Sequence, residues 1–153
     1  MALEFSTIGM KLGWVTETVA GTRPTSGVTN IPDIKSIPAL DFEPSNLQVT
    51  NLVDKRHRYV PGVAGIGNDF AITANLTASL KTAWASLVSA ANTAFASGKT
   101  TWFEVSIPNF DSFWFSGMPI DQGFNGAEVD SVAEATVRVI PNTIVGWAAA
   151  ATT

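Results

Sequence analysis

"FAITANLTASLKTAWASLVSAANTAFASGKTTWFEVSI" (residues 70–107) changes its period twice, and the two changes set the fold class. At its start Phe70, Ile72, Ala74 and Leu76 fall on one side and Ala71, Thr73 and Asn75 on the other, the alternation of a strand with one buried face. From Ser79 to Ser97 the apolar residues Leu80, Trp84, Leu87, Val88, Ala91 and Phe95 recur at helical spacing and form a single stripe. Thr77 or Ser79 is placed to cap the helix start, and Gly98 stands where a left-handed residue would close its end. Alternation then returns, with Phe103, Val105 and Ile107 opposed by Glu104 and Ser106. A lone amphipathic helix between strands must lie on a sheet face or against a neighbour.

Outward from this stretch the chain is mostly strand. In "AEATVRV" (133–139) Ala133, Ala135, Val137 and Val139 oppose Glu134, Thr136 and Arg138. "MKLGWVTET" (10–18), "LQVTNL" (47–52) and "SFWFSGMPI" (112–120) are further strands, each weakened by a Gly or Pro or by an imperfect alternation. The expectation is a mainly β (α+β) fold: an antiparallel β-sandwich or partial barrel with one flanking amphipathic α-helix over about residues 79–97. A length of 153 residues with 46% apolar content suits one domain, 1–153, with a real core. Two stretches, 19–46 and 53–69, fall outside regular structure, and structureless runs of that length are usually functional or ordered by a partner. The first carries Pro32, Pro38 and Pro44, each fixing φ and removing a backbone donor, so it lies extended without inviting wrong pairing.

Composition excludes several functions. Charged residues make up 14% of the chain, well below the roughly 25% of an average domain, so much of the surface is expected to be covered. A net charge of −4 argues against a protein that grips nucleic acid through its phosphates. There is no cysteine, and His57 is the sole histidine, so neither a thiolate enzyme nor an ordinary zinc site is expected, and no cofactor is implied. "GKT" (98–100) imitates the end of a phosphate loop but has Thr93 where the motif needs Gly, and its helix precedes the loop. "PGVAGIGND" (61–69) lacks the spacing of a dinucleotide motif, and the pairs Asp41/Glu43 and Glu128/Asp130 sit among turn signals. The N-terminus lacks the basic and apolar regions of a secretory signal, and no run is long enough to span a membrane. The densest charge is "DKRHRY" (54–59): Lys55, Arg56 and Arg58 on an acidic chain suit self-association, because each copy carries the complementary charge. These residues favour an assembly protein over an enzyme, and a ring of identical subunits would cover exposed strand edges.

The stretch "GTRPTSGVTNIPDIKSIPALDFEPSNLQVTNLVDKRHRYVPGV" (21–63), the helix with Trp84 and the closing "GAEVDSVAEATVRVIPN" (126–142) resemble the major tail tube proteins of bacteriophages with long, non-contractile tails. The resemblance implies a β-sandwich with a flanking helix, forming hexameric rings that stack into a tube and belong to the virion tail, assembled in the host cytoplasm. Its implied partners are other copies of the chain, the tape-measure protein, the tail terminator and tail-tip or baseplate proteins, while double-stranded DNA passes through the lumen without specific binding. By the same resemblance residues 19–38 form an extended arm, 53–69 a long loop reaching a neighbour, and 142–153 a short C-terminal tail, with no immunoglobulin-like domain after it. Lys55, Arg56, Arg58 and Tyr59 are then contact residues between subunits, joined by Ile34, Ile37, Leu40 and Phe42, whose apolar side chains need burial. Lumen-facing candidates are the polar strand faces: Glu104 and Ser106, and Glu134, Thr136 and Arg138. The alternatives are a tail terminator or head-to-tail joining protein of the same fold and, more remotely, a small β-sandwich hydrolase or binding module using His57 and a Trp102/Trp114 platform.

Overall fold

In the computed structural model Thr77 begins the helix: its Oγ1 accepts the Leu80 amide at 3.1 Å, capping α1 (Ala78–Ala96). At the other end the Lys99 N–H reaches Ala94 O at 2.8 Å and the Gly98 N–H reaches Phe95 O at 3.0 Å. Gly98 takes φ 72°, so the helix closes with the paired bonds of a Schellman motif. Leu80, Trp84, Leu87, Val88 and Ala91 are buried as the stripe predicts. Phe95 is not: it is 75% exposed, and the small Ala94 takes the buried place in the last turn. Phe95 lines a depression of about 280 Å³ together with Gly117, Met118 and Ile140.

The structure describes residues 4, 6–41, 43–65 and 70–152. They fall into two compact units, Met1–Pro38 with Asp69–Thr153, and Ala39–Asn68. The strands are β1 (Lys11–Thr16), β2 (Thr29–Asn30), β3 (Ile34–Ser36), β4 (Glu43–Gln48), β5 (Tyr59–Gly65), β6 (Phe70–Asn75), β7 (Thr101–Ser106), β8 (Ser112–Pro119) and β9 (Glu134–Ala148). In the larger unit seven of them make one antiparallel sheet in the order β2-β1-β7-β8-β9-β6-β3. Its core combines Leu12, Phe103, Phe115, Phe70, Ile72, Val137 and Val139 with the buried stripe of α1. Phe115 is the hub, with ring centroids 4.9 Å from Phe70 and 5.3 Å from Phe103.

The sheet is strongly curled. Asn30 and Ile34 belong to opposite edges of it, yet four residues of chain reach at most about 14 Å. A flat sheet of this order would hold its edges about 29 Å apart, six spacings of roughly 4.8 Å. The segment 31–33 therefore ties the two edges together. The Ile31 amide donates to Leu12 O on β1, and Asp33 O accepts the Asn75 amide from β6, both at 2.9 Å. Between sandwich and partial barrel, the larger unit forms the second, a half-barrel sheet with one helix.

Three stretches expected to lack strands contain them. Residues 142–148, read as part of a C-terminal tail, continue β9 along β8, pairing Thr143 with Ser116 and Ala148 with Ser112. The strand was hidden because it is broken by irregularities: Pro141 lies beside one register shift and Gly146, at φ 87°, beside the other. In the smaller unit, β4 and β5 form an antiparallel hairpin, so the 53–69 loop is a strand from Tyr59 to Gly65, and the Pro-rich 19–46 stretch supplies β2, β3 and the start of β4. Pro44 fits there because the pairing is irregular between Pro44 and Asn46.

Candidate assembly interface

The hairpin tip is held by its own polar groups. The Val49 N–H donates to Arg58 O at 2.9 Å, Thr50 Oγ1 accepts the Arg58 amide at 2.9 Å, and Asp54 Oδ2 accepts the Asn51 amide at 2.9 Å. The apolar side chains have no such cover. Leu52 is fully exposed, Val53 is 87% exposed, and Leu47, Val49, Tyr59 and Val60 are exposed as well. A two-stranded hairpin is marginal alone in water, and this one leaves its aliphatic residues exposed.

The cations expected at an interface lie here and differ in freedom. Arg58 Nε sits 3.1 Å from Asp54 Oδ2, so its charge is spent within the tip. Lys55 and Arg56 are exposed, and no ion pair among the described residues engages them. Tyr59 is exposed beside His57, whose Nδ1 accepts from Gln48 Nε2 at 2.8 Å. Ile34 lies on the edge strand β3 and is half-buried, as are Ile37 and Leu40. Phe42 lies outside the described residues.

The register puts Glu104, Ser106, Glu134, Thr136 and Arg138 on the same face of the half-barrel, opposite the Phe103–Phe115 core. They do not share one environment. Glu104 is only 6% exposed: its Oε2 accepts the Ala151 amide at 2.8 Å, which corrects its expected place on an open surface. The cause is a layer that sequence alternation cannot reveal, made of residues 17–26 and 149–152. Thr25 O accepts the Thr152 amide at 2.9 Å, and Ser26 bridges Thr152. The Arg23 guanidinium stacks 4.5 Å from the Trp114 ring centre, and the Trp114 indole N–H donates to Ala149 O. Trp102 and Trp114 are therefore buried, so they offer no ligand platform.

Glu17 fastens this layer, and nothing in the alternation points to it. Its Oε1 accepts the Trp102 indole N–H at 2.9 Å, while Oε2 accepts the amides of Gly21 at 3.0 Å and Thr100 at 3.1 Å. Burial opposes ionisation, but the donors of Trp102, Thr100 and Gly21, with Lys99 nearby, outweigh it and hold the carboxyl below its ordinary value of 4.5.

The other end of the same face is open. Glu134 pairs with Lys35 across β6, Thr136 Oγ1 accepts from Asn125 Nδ2 at 2.9 Å, and Arg138 is exposed; Ser106 is half-buried. With Lys35 matching Glu134, this end is polar without being acidic. Among the described residues no three His, Asp or Glu side chains cluster as metal ligands, and no helix is long and apolar enough to cross a membrane.

No family model and no curated protein matches the chain. Solved structures do. A chain of the six-fold symmetrised baseplate of the anti-feeding prophage superimposes with a TM-score of 0.60 at 8% identity, over 94% of this chain and 95% of that one. A chain from the tail of an empty gene transfer agent particle, obtained by helical refinement with C6 symmetry, gives 0.58 at 14% identity over 94% and 98%. A chain from the virion of a native gene transfer agent particle gives 0.54 at 15% identity over 80% and 89%. At these identities the likeness is one of fold, and in two of the three it extends over nearly the whole chain.

Proposed function

We propose that this chain is a structural tail subunit of a phage-type particle, assembling into hexameric rings that stack as a tail tube. The observation that carries the reading is the fold shared with a chain from a C6-symmetric tail. The half-barrel supports it physically, since a curled sheet with two short edge strands can be continued by copies of itself around a ring. So does the hairpin, whose exposed Leu52 and Val53 need a neighbour. Lys55, Arg56 and Tyr59, with Ile34, Ile37 and Leu40, are subunit contacts in this reading. Ser106, Glu134, Thr136 and Arg138 are the lumen candidates that keep solvent access; the Lys35–Glu134 pair is neutral, which leaves Arg138 as the one uncompensated charge among them. The tape-measure, terminator and baseplate proteins are the further partners this role entails, and its place is the virion. Negative-stain microscopy of the purified chain tests the proposal: long uniform tubes are expected, single rings would favour a terminator or joining protein, and a monomer at every concentration would overturn both.

A further inference from the structure

The hairpin tip is an apolar pair beside free cations, and the larger unit carries its complement. Between β8 and β9 the stretch 120–134 holds Asp121, Glu128, Asp130 and Glu134 and no basic residue. Glu134 is neutralised by Lys35, whereas no ion pair among the described residues engages Glu128 or Asp130. Val129 is 90% exposed, and Phe124 and Val132 are exposed too. Glu128 and Val132 line a groove of about 710 Å³ whose wall is the Lys35–Glu134 pair, ample for two aliphatic side chains. The tip, in turn, has Leu52 and Val53 for the groove and Lys55 and Arg56 left over after Asp54 has paired with Arg58. Two free cations beside two exposed aliphatics are the complement of two free anions beside exposed apolar side chains.

We infer that the 125–133 groove is the receptor for the hairpin tip of a second copy of this chain, with Leu52 and Val53 seated against Val129 and Val132, and Lys55 and Arg56 opposite Glu128 and Asp130. The inference rests on the assembly role proposed above and adds the surface that receives the hairpin. It also makes the contact heterologous, tip to groove, which propagates from copy to copy instead of ending in a two-fold dimer.

Because the chain has no cysteine, contact between copies can be read directly. Val53→Cys and Val132→Cys single variants, mixed under mild oxidation, should give covalent heterodimer at least about tenfold faster than either variant forms homodimer, and Lys55→Glu with Arg56→Glu on the first variant should remove that excess. Glu128→Lys with Asp130→Lys should block assembly as the tip reversal does, and the chain carrying all four reversals should assemble again. All these sites are exposed, and circular dichroism of each variant checks that its fold is kept. Absence of heterodimer excess, or a four-fold variant as defective as its parents, overturns the docking. Tubes from the unmodified chain without the excess would leave the tube standing and remove only the receptor. Specific heterodimer without rings or tubes would keep the receptor and sink the tube.

Discussion

Phe115 and Leu52 are both large apolar side chains, yet one is fully buried and the other fully exposed. The two units of the chain divide along that contrast. In the larger unit a curled sheet closes on its own helix, and even polar Glu17 is buried with three donors around it. In the hairpin the backbone and tip are satisfied while the aliphatic residues stay in water. The first buries its large apolar side chains within one copy; the second leaves Leu52 and Val53 exposed.

Substitutions should separate the two kinds of residue. Phe115→Ala removes the ring stacked on Phe103 and tilted against Phe70, and should cost about 3–5 kcal/mol in urea unfolding, enough to abolish a folded subunit at moderate denaturant. Glu17→Gln replaces an ionised acceptor of three hydrogen bonds and should cost about 2 kcal/mol at neutral pH. Because the folded carboxyl titrates below 4.5, the wild-type advantage is full above that pH and fades as pH falls through the lower folded value; parallel unfolding curves at pH 7 and pH 3 measure it. An advantage that grew on acidification would contradict the hydrogen-bond geometry. Gly98→Ala forces a side chain into φ 72° with open space around it, so about 1 kcal/mol of thermal stability should be lost, from local backbone strain and not from clashes with neighbouring residues. Leu52→Ser with Val53→Ser should change stability by less than about 0.5 kcal/mol while abolishing rings and tubes by electron microscopy. A large loss of monomer stability there would mean that the hairpin tip is packed in the isolated chain after all.

The sequence made legible whatever depends on period. The strand at 70–75, the helix stripe from Leu80 to Ala91, and the caps at Thr77 and Gly98 follow from side-chain spacing and local hydrogen bonding, and they form as expected. What stayed hidden depends on layers and breaks. β7 is buried on both faces, so the opposition of Glu104 to Phe103 reads as solvent against core when it is one covered face against another. β9 keeps its course through Pro141 and Gly146 by shifting register, which erases the alternation. The hairpin could be singled out by its charge, but Arg58 looks as free as Arg56 until Asp54 is seen beside it. Glu17 and Arg23 gave no signal, because each acts on a tryptophan far away in the chain.

The tie at 31–33 works like the string of a bow. Packing forces respond to temperature, salt and solvent, whereas the reach of a covalent chain does not. The distance between the sheet edges is thus capped by the number of residues from Asn30 to Ile34, and the radius of the half-barrel inherits that cap. In a ring of such units, curvature per subunit decides how many copies complete the circle. Lengthening this short link by a few residues would slacken the string, so in the proposed ring the bore would be under the control of insertions and deletions at one spot, next to the proposed contact residue Ile34.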